Sequence, residues 1–265
     1  MTDTTLFDEE RSAQILRMYG TPDVVRRRRE AIDALAPRAG ETIIDVGCGP
    51  AVFAADLAAR VAPDGHIVGV DKSAEMLDLA RSTVARHVLG SMIEIREGDA
   101  TALPVADGGS DAAVSVQVLE YVEDVPLALR EIHRVLRPGG RVLIWDTDWD
   151  GLIWHSSDND RMQRVLREWD HHLAHPTLPR TLAAELRGAG FGVRRVVPYP
   201  LLNLEASVDT YSGGVIGLIE SFLRARGTFD EAEIDAWSND LRTLSDEGRY
   251  FFCIPAAYFV AEKTG

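Results

Sequence analysis

Cysteine is scarce in this sequence, and basic residues are too few to balance the acidic ones. The 265 residues include only Cys48 and Cys253, which form neither a disulfide framework nor a zinc knuckle, so a reducing cytoplasm is the expected location. Lys and Arg number 28 against 42 Asp and Glu, which gives a formal net charge of −14. Nucleic-acid phosphates would repel such a chain, so no nucleic-acid partner is expected.

Long apolar runs are also missing. No stretch of about 18 apolar residues occurs, so no membrane span is expected. Residues 1–10 are acidic and lack the apolar core of a signal peptide. The balance of 46% hydrophobic and 26% charged residues is ordinary for a globular protein, and the length suits one large α/β domain or one domain plus a cap.

A glycine turn between a strand and a helix is the feature around which the rest of the chain is arranged. Residues 43–46 are apolar except for Asp45, and the turn Gly47-Cys48-Gly49-Pro50 follows them. Residues 51–61 then place apolar side chains at helical spacing. Glycine lets a ligand approach the backbone closely, and the free N–H groups of a helix start face the same point. The pattern predicts a nucleotide-type cradle, although a turn that only connects two elements is an alternative.

The residue types separate two classes of cofactor. A dinucleotide fingerprint has a third glycine three residues after the second, where this chain has Val52. An NAD-dependent oxidoreductase is therefore the less favoured interpretation.

A βαβ pattern follows the turn. The second predicted strand ends in Asp71, which lies 22 residues after Gly49, the spacing at which an acid accepts hydrogen bonds from ribose hydroxyls. The same residue suits the N-cap of the next helix, and the two roles are compatible. Met76 begins the buried stripe of that helix. A third strand ends in Gly98-Asp99-Ala100.

Together these motifs resemble the class I methyltransferases that use S-adenosylmethionine (SAM). The resemblance starts from Asp-Val-Gly-Cys-Gly-Pro at residues 45–50, continues through the turn-rich residues 103–111, and ends with Leu-Arg-Pro-Gly-Gly before the fifth strand. It covers about residues 40–147 and is nearest to small-molecule enzymes of the ubiquinone/menaquinone-biosynthesis type. Val105 and Ala113 stand where that family usually has aromatic residues, which affects packing rather than the cofactor.

The resemblance implies a Rossmann-like, seven-stranded, mostly parallel sheet with helices on both faces and inserted helices forming a lid. We expect N-terminal helices over the cofactor site in residues 1–38, one of them over residues 9–19, and a methyltransferase domain in residues 39–265. The lid comprises about residues 148–176 and 201–249. Arg26 to Arg29 are predicted to form a solvated, ion-paired helix face.

The cofactor site follows from the motifs and the resemblance. The acid after the third strand should meet the adenine amino group, with its neighbour packing by the ring, because a carboxylate accepts the exocyclic N–H. The residues predicted to bind the cofactor are Tyr19, Asp45, Gly47, Cys48, Gly49, Asp71, Lys72, Met76, Gly98, Asp99, Ala100, Gln117 and Leu119.

Candidates for the catalytic chemistry follow the fifth strand. Methyl transfer is an in-line displacement, so the enzyme mainly positions the acceptor and excludes water. Asp146, Asp148 and Asp150 share a face if the strand persists, where they could hold a cationic amine or take a proton; the alternative is a solvated loop with a cap. His155 is a second candidate base. His171 and His175 are one helical turn apart, but no further ligands complete a zinc set, so no metal is expected.

The sequence therefore predicts a SAM-dependent methyltransferase that acts on an O, N or C atom of a small-molecule acceptor, as a monomer or homodimer. A SAM-binding protein without catalysis, which would act through partners, remains an alternative because this fold has no universal catalytic residue.

Overall fold

A computed structural model describes residues 16–264. The strands are β1 (Thr42–Val46), β2 (His66–Asp71), β3 (Ile93–Glu97), β4 (Ser110–Val116), β5 (Leu136–Thr147), β6 (Ile153–Trp154), β7 (Phe191–Pro198), β8 (Leu201–Asn203), β9 (Phe252–Ile254) and β10 (Ala256–Lys263). The α-helices are α1 (Pro22–Leu35), α2 (Val52–Val61), α3 (Ala74–Arg86), α4 (Val125–Val135), α5 (Asn159–Trp169), α6 (Leu182–Gly188), α7 (Tyr211–Arg226) and α8 (Glu231–Asp246).

The main sheet has seven strands in the order β3-β2-β1-β4-β5-β10-β7. The pairs from β3 to β5 are parallel, and β10 runs antiparallel to both β5 and β7. Helices cover both faces, so Ile43 packs with α1 and α2 while its neighbour Ile44 packs with α4 and α6. Burial on both faces explains why these strands are almost continuously apolar. The predicted Rossmann-like sheet is confirmed.

The N-terminal region departs from the prediction at its arginines. Residues 16–19 are helical, while the rest of the helix predicted over residues 9–19 lies outside the described part of the chain. Arg26 and Arg29 are exposed, but Arg27 and Arg28 are only 5% and 7% exposed. The solvated face was the wrong prediction for these two, because α1 packs on the sheet and turns them inward.

A second, smaller sheet in the order β6-β9-β8 organises the lid together with α5, α7 and α8. Pro255 separates β9 of this smaller sheet from β10 of the main sheet. Proline has no N–H to continue a ladder, so the chain changes sheets there. The lid has its own core of aromatic side chains, among them Trp149, Trp154, Trp169, Phe222, Trp237 and Phe252.

No helix within residues 16–264 is long and apolar enough to cross a membrane. The proposed division at residue 38 stays a prediction. The carboxyl ends of β1, β2, β4 and β5 meet at one edge of the main sheet, below the lid, and the candidate site lies there.

Candidate active site

The glycine turn after β1 has the backbone conformation that its sequence requires. Gly47 and Gly49 have φ angles of +69° and +49°, in the left-handed region that favours glycine. A Cβ on Gly47 would lie 2.4 Å from a methyl carbon of Val118. The N–H groups of Gly47 and Cys48 donate to the Val70 carbonyl at 2.7 and 2.9 Å. These bonds hold the turn against β2 and leave its outer side open.

Asp71 joins the turn to the start of α3. Its Oδ2 accepts a hydrogen bond from the Gly49 N–H at 2.8 Å, and its Oδ1 accepts one from the Ser73 N–H at 2.9 Å. Ser73, and not Asp71, is the N-cap of α3, since Ser73 Oγ accepts from the Met76 N–H. Each carboxylate oxygen retains a second acceptor position that can bind a ligand hydroxyl.

A cavity of about 830 Å³ extends from this turn to the lid, within the size range of ligand pockets. Its cofactor half, as we name it, contains most of the predicted cofactor residues. These are Tyr19, Gly47, Gly49, Asp71, Lys72, Met76, Gly98, Asp99, Ala100 and Gln117.

Three predicted cofactor residues lie outside that cavity. Asp45 and Cys48 line a small adjoining pocket beneath the turn, and Leu119 is wholly buried in the core. Burial, followed by the charge of Asp71, raises the pKa of Asp45 to about 7. Burial also raises the pKa of the Cys48 thiol, so this cysteine stays protonated. Neither residue is placed for chemistry on an acceptor.

At the far end of the cofactor half, Asp99 lies beside Lys72, with Oδ2 and Nζ 3.9 Å apart. Burial opposes ionisation of Asp99, but hydrogen bonds from Thr101 and the charge of Lys72 keep its pKa below the ordinary value. The carboxylate therefore remains an acceptor for a ligand N–H.

Arg27 lines the small pocket beneath the turn and not the cavity itself, and sequence reasoning missed it as a candidate for the site. Its guanidinium carbon lies 3.7 Å from the centroid of the Trp145 ring and 5.3 Å from that of Tyr211. Nη2 donates to Oε1 of Gln117 at 2.7 Å, whereas Nε has no partner and no carboxylate pairs with this cation in the described part of the chain. A buried cation without a counter-ion is costly unless a ligand supplies one.

A signal for Arg27 was present in the sequence. The buried positions of α1 include Val24, Ala31 and Leu35, and position 27 falls on that same helical stripe. An arginine on the apolar stripe of a helix indicates a buried role.

Gln117 connects the cofactor half to the lid. It follows β4 with φ of +54°, which is uncommon for a residue other than glycine and typical of functional sites. Its Nε2 donates to Thr147 Oγ1 at 3.3 Å and to the Tyr211 hydroxyl at 3.4 Å.

The remainder of the cavity, which we call the acceptor half, is mainly aromatic and aliphatic. One face of α7 runs along it, about 22 Å from Tyr211 to Arg226 at 1.5 Å per residue. The Trp169 and His172 rings stack at 3.6 Å between centroids, and Phe222 meets Trp169 edge-on at 5.2 Å. The residues of the acceptor half are Tyr121, Val122, Glu123, Trp149, Trp169, His171, His172, Leu173, Ala174, Tyr211, Val215, Leu218, Phe222 and Arg226.

Asp146 lies within β5, and Asp148 and Asp150 follow it. The three acids do not share a face, so that prediction is wrong. The strand ends at Thr147, and a 3-10 turn follows at Trp149–Gly151. Asp146 is fully buried. Asp148 caps the 3-10 turn and binds Arg180, which also binds Asp150.

None of the predicted catalytic residues lines the cavity. His155 is exposed on the lid sheet, where its N–H donates to the Phe251 carbonyl. Of the histidines considered for zinc, His175 binds the Glu123 carbonyl at 3.2 Å. Residues 16–264 contain no group of three side chains arranged to hold a metal ion.

Comparison with known proteins decides the family. The family described as "Methyltransferase domain" matches residues 44–144. An uncharacterised 37.1 kDa protein of transposon TN4556 from Streptomyces fradiae is 32% identical over 253 residues, 94% of this chain and 70% of that protein. The demethylmenaquinone methyltransferase of Desulfitobacterium hafniense is 36% identical over 119 residues, 45% of this chain and 47% of that protein. The chain belongs to the class I SAM-dependent methyltransferases.

A solved structure shows the same fold for this methyltransferase. Phosphoethanolamine N-methyltransferase 2 of Haemonchus contortus, in complex with phosphomonomethylethanolamine and S-adenosylhomocysteine, aligns with a TM-score of 0.66 at 16% identity, over 99% of this chain and 59% of that one. The chain spans about half the length of the demethylmenaquinone methyltransferases that it matches. SAM, rather than NAD, is the cofactor of this methyltransferase.

Proposed function

We propose that this methyltransferase transfers the methyl group of SAM to a small-molecule acceptor bound beneath the lid. The observation that carries the proposal is the single cavity that joins the glycine turn to the aromatic acceptor half. A large, mainly apolar pocket with a few convergent polar groups is typical of a small-molecule site.

The residues of the cofactor half suit the parts of SAM. The Asp71 carboxylate would accept hydrogen bonds from the ribose hydroxyls, and Asp99 would accept one from the adenine amino group. From the adjoining pocket beneath the turn, the Arg27 guanidinium, which has no carboxylate partner in residues 16–264, would bind the carboxylate of the methionyl part. Its neighbour Gln117 fixes the direction of that guanidinium. SAM supplies an electrophilic methyl group, and the protein orients the acceptor and keeps water away.

The charges around the acceptor half favour a neutral or anionic acceptor over a cationic amine. Within the residues named for this half, Glu123 is the sole carboxylate, and it is exposed. Arg226 adds positive charge at the end of α7, although Glu168 binds it. A buried ammonium group would lack the partner that it needs. Aromatic walls suit a planar, partly apolar molecule, and the relatives named as demethylmenaquinone methyltransferases support this class of acceptor.

Turnover with SAM labelled in its methyl group tests the proposal. The acceptors are phenols, quinols and amines, each with and without protein, and the product is identified by mass spectrometry. We expect label in a phenol or quinol. If S-adenosylhomocysteine binds but no acceptor is labelled, the alternative of a SAM-binding protein without catalysis is favoured. We also expect a cytoplasmic monomer or homodimer, and light scattering after gel filtration distinguishes these two states.

A further inference from the structure

Two carboxyl groups are buried together behind the acceptor half. Glu120 and Asp146 are both 0% exposed. Glu120 Oε2 accepts a hydrogen bond from the Thr147 N–H at 3.1 Å, and Asp146 Oδ1 accepts one from the Val118 N–H at 3.1 Å. The other oxygen of each group, Oε1 and Oδ2, has no partner in residues 16–264. Each carboxyl group therefore has one oxygen in a hydrogen bond and one oxygen without a partner, and both groups are fully buried.

Neighbouring buried carboxyl groups cannot both be ionised at low cost. Burial, followed by the charge of Glu120, raises the pKa of Asp146 well above its ordinary value. Burial raises the pKa of Glu120 to about 7, although the Thr147 N–H, the nearby Trp149 side chain and the charge of Arg27 oppose this. The pair therefore does not carry two full charges over the neutral range. With a pKa of about 7, Glu120 can gain or lose a proton near neutral pH.

Tyr121 connects Glu120 to the cavity. Its side chain lines the acceptor half and lies close enough to the Glu120 carboxyl group to lower the pKa of that acid. The Tyr121 hydroxyl and Glu120 Oε1 do not form a hydrogen bond in this structure, because Glu120 Oε1 has no partner among the described residues. Burial and the charge of Glu120 raise the pKa of Tyr121 well above its ordinary value, so the phenol keeps its proton. A neutral phenol hydroxyl can accept a proton on its oxygen while it donates its own proton to a second group.

The other titratable groups around Tyr121 are poor proton acceptors. Tyr19 and Tyr211 have pKa values raised by burial and stay protonated. Arg27 is a cation. His172 meets Tyr121 edge-on at 5.8 Å, and burial lowers its pKa to about 3, which makes it a weak base.

We propose that Glu120 receives, through the Tyr121 hydroxyl, the proton that a hydroxyl-bearing acceptor loses as it is methylated. The proposal rests on the function proposed above and names its substrate class. The acceptor oxygen forms a bond to the methyl carbon, the carbon–sulfur bond breaks, and its electron pair stays on sulfur. The acceptor O–H electrons stay on oxygen, its proton moves to Tyr121 Oη, and the Tyr121 proton moves to Glu120 Oε1. Asp146 takes no part in the transfer.

Glu120→Gln and Tyr121→Phe test the two steps separately. Glutamine can still accept from the Thr147 N–H, and Phe retains the packing of Tyr121. We expect kcat on catechol or 1,4-dihydroxynaphthalene to fall about 100-fold or more in each variant, as for loss of a general base. The affinity for S-adenosylhomocysteine should not change. Tyr250→Phe is the matched control, because the buried Tyr250 hydroxyl has no partner among residues 16–264 and lies outside the cavity lining. The kcat of this variant should match that of the wild type.

The pH profile separates a proton acceptor from a structural residue. The competent form has Glu120 ionised, so wild-type kcat should rise through an apparent pKa near 7 and then level off. Glu120→Gln should lack that step. Urea unfolding supplies a readout without turnover. A buried acid with a raised pKa loses stability as pH rises, so wild type should lose more stability than Glu120→Gln between pH 5 and pH 8.

The results distinguish the two proposals. If wild type methylates a hydroxyl but Glu120→Gln keeps kcat within about 3-fold, the proton pathway is wrong and the function stands. Methylation of quinoline, which is uncharged at neutral pH and has no proton to lose, in place of the hydroxyl compounds also overturns the pathway alone. If wild type binds S-adenosylhomocysteine but labels no acceptor, the proposed function fails and the pathway fails with it.

Discussion

Replacing Arg27 with methionine should weaken binding of the cofactor through one group of the ligand. The guanidinium is 5% exposed and has no carboxylate partner within the described residues, so the carboxylate of the methionyl part would be its counter-ion. Hydrogen bonds to charged groups contribute about 1.5–3 kcal/mol. We therefore expect S-adenosylhomocysteine to bind roughly 10- to 100-fold more weakly to Arg27→Met.

The effect on folding should be small. Methionine fills similar space and removes a buried unpaired charge, which is often neutral or stabilising. It also removes the contact with the Trp145 ring at 3.7 Å, worth up to about 2 kcal/mol when desolvated. These effects oppose each other, so the free energy of unfolding should change by less than about 2 kcal/mol.

Calorimetry with two ligands isolates the carboxylate. 5′-Methylthioadenosine lacks the amino acid part of S-adenosylhomocysteine, so it should bind wild type and Arg27→Met equally. Arg28→Met is the matched control variant, because Arg28 is also buried but already binds Asp56 at 2.6 Å and the Tyr19 carbonyl at 2.9 Å. Equal loss of affinity for both ligands would show that Arg27 maintains the shape of the site, and unchanged affinity would refute its role.

Three further predictions follow from the site. Asp71→Ala should weaken binding of SAM roughly 10- to 100-fold by calorimetry with the circular dichroism spectrum retained; unchanged affinity would limit Asp71 to holding the turn. Gly47→Ala should abolish most of that binding, since its Cβ would lie 2.4 Å from Val118, while Gly188→Ala, with nothing within 4 Å, should bind normally. Hydrogen exchange with S-adenosylhomocysteine should show added protection at residues 45–50, 71–73 and 98–100 and in the lid; protection confined to the first three would mean a lid that does not respond to the cofactor.

The glycine turn and the βαβ succession of the central strands could be predicted from the sequence because their causes are local. Positive φ at Gly47 and Gly49 is a property of residue type, and acids at strand ends such as Asp71 and Asp99 need only the βαβ spacing to reach one edge of the sheet. The buried Arg27 also had a local signal, because it lies on the apolar stripe of α1. The nearby acidic residues led instead to the prediction of a solvated, ion-paired face.

Other features depend on contacts that no local pattern contains. Pro255 predicts an interruption, but only the packing of the lid decides that β9 leaves the main sheet. Asp148 pairs with Arg180 and is not free to contact a methyl acceptor. Arg180 lies 32 residues away in the sequence, so no local pattern contains this contact. Acids at alternate positions share a face only where the strand continues through all of them, and here the strand ends at Thr147.

The sequence by itself determined the cofactor class, because a turn and its flanking strand and helix are specified over a few residues. The tertiary structure alone decided the chemistry of the acceptor half. Glu120 and Asp146 are 26 residues apart in the sequence and become a pair only when the segment after β4 lies beside the end of β5. Their altered pKa values arise from burial and from each other's charge, and neither exists until the lid and sheet exclude water.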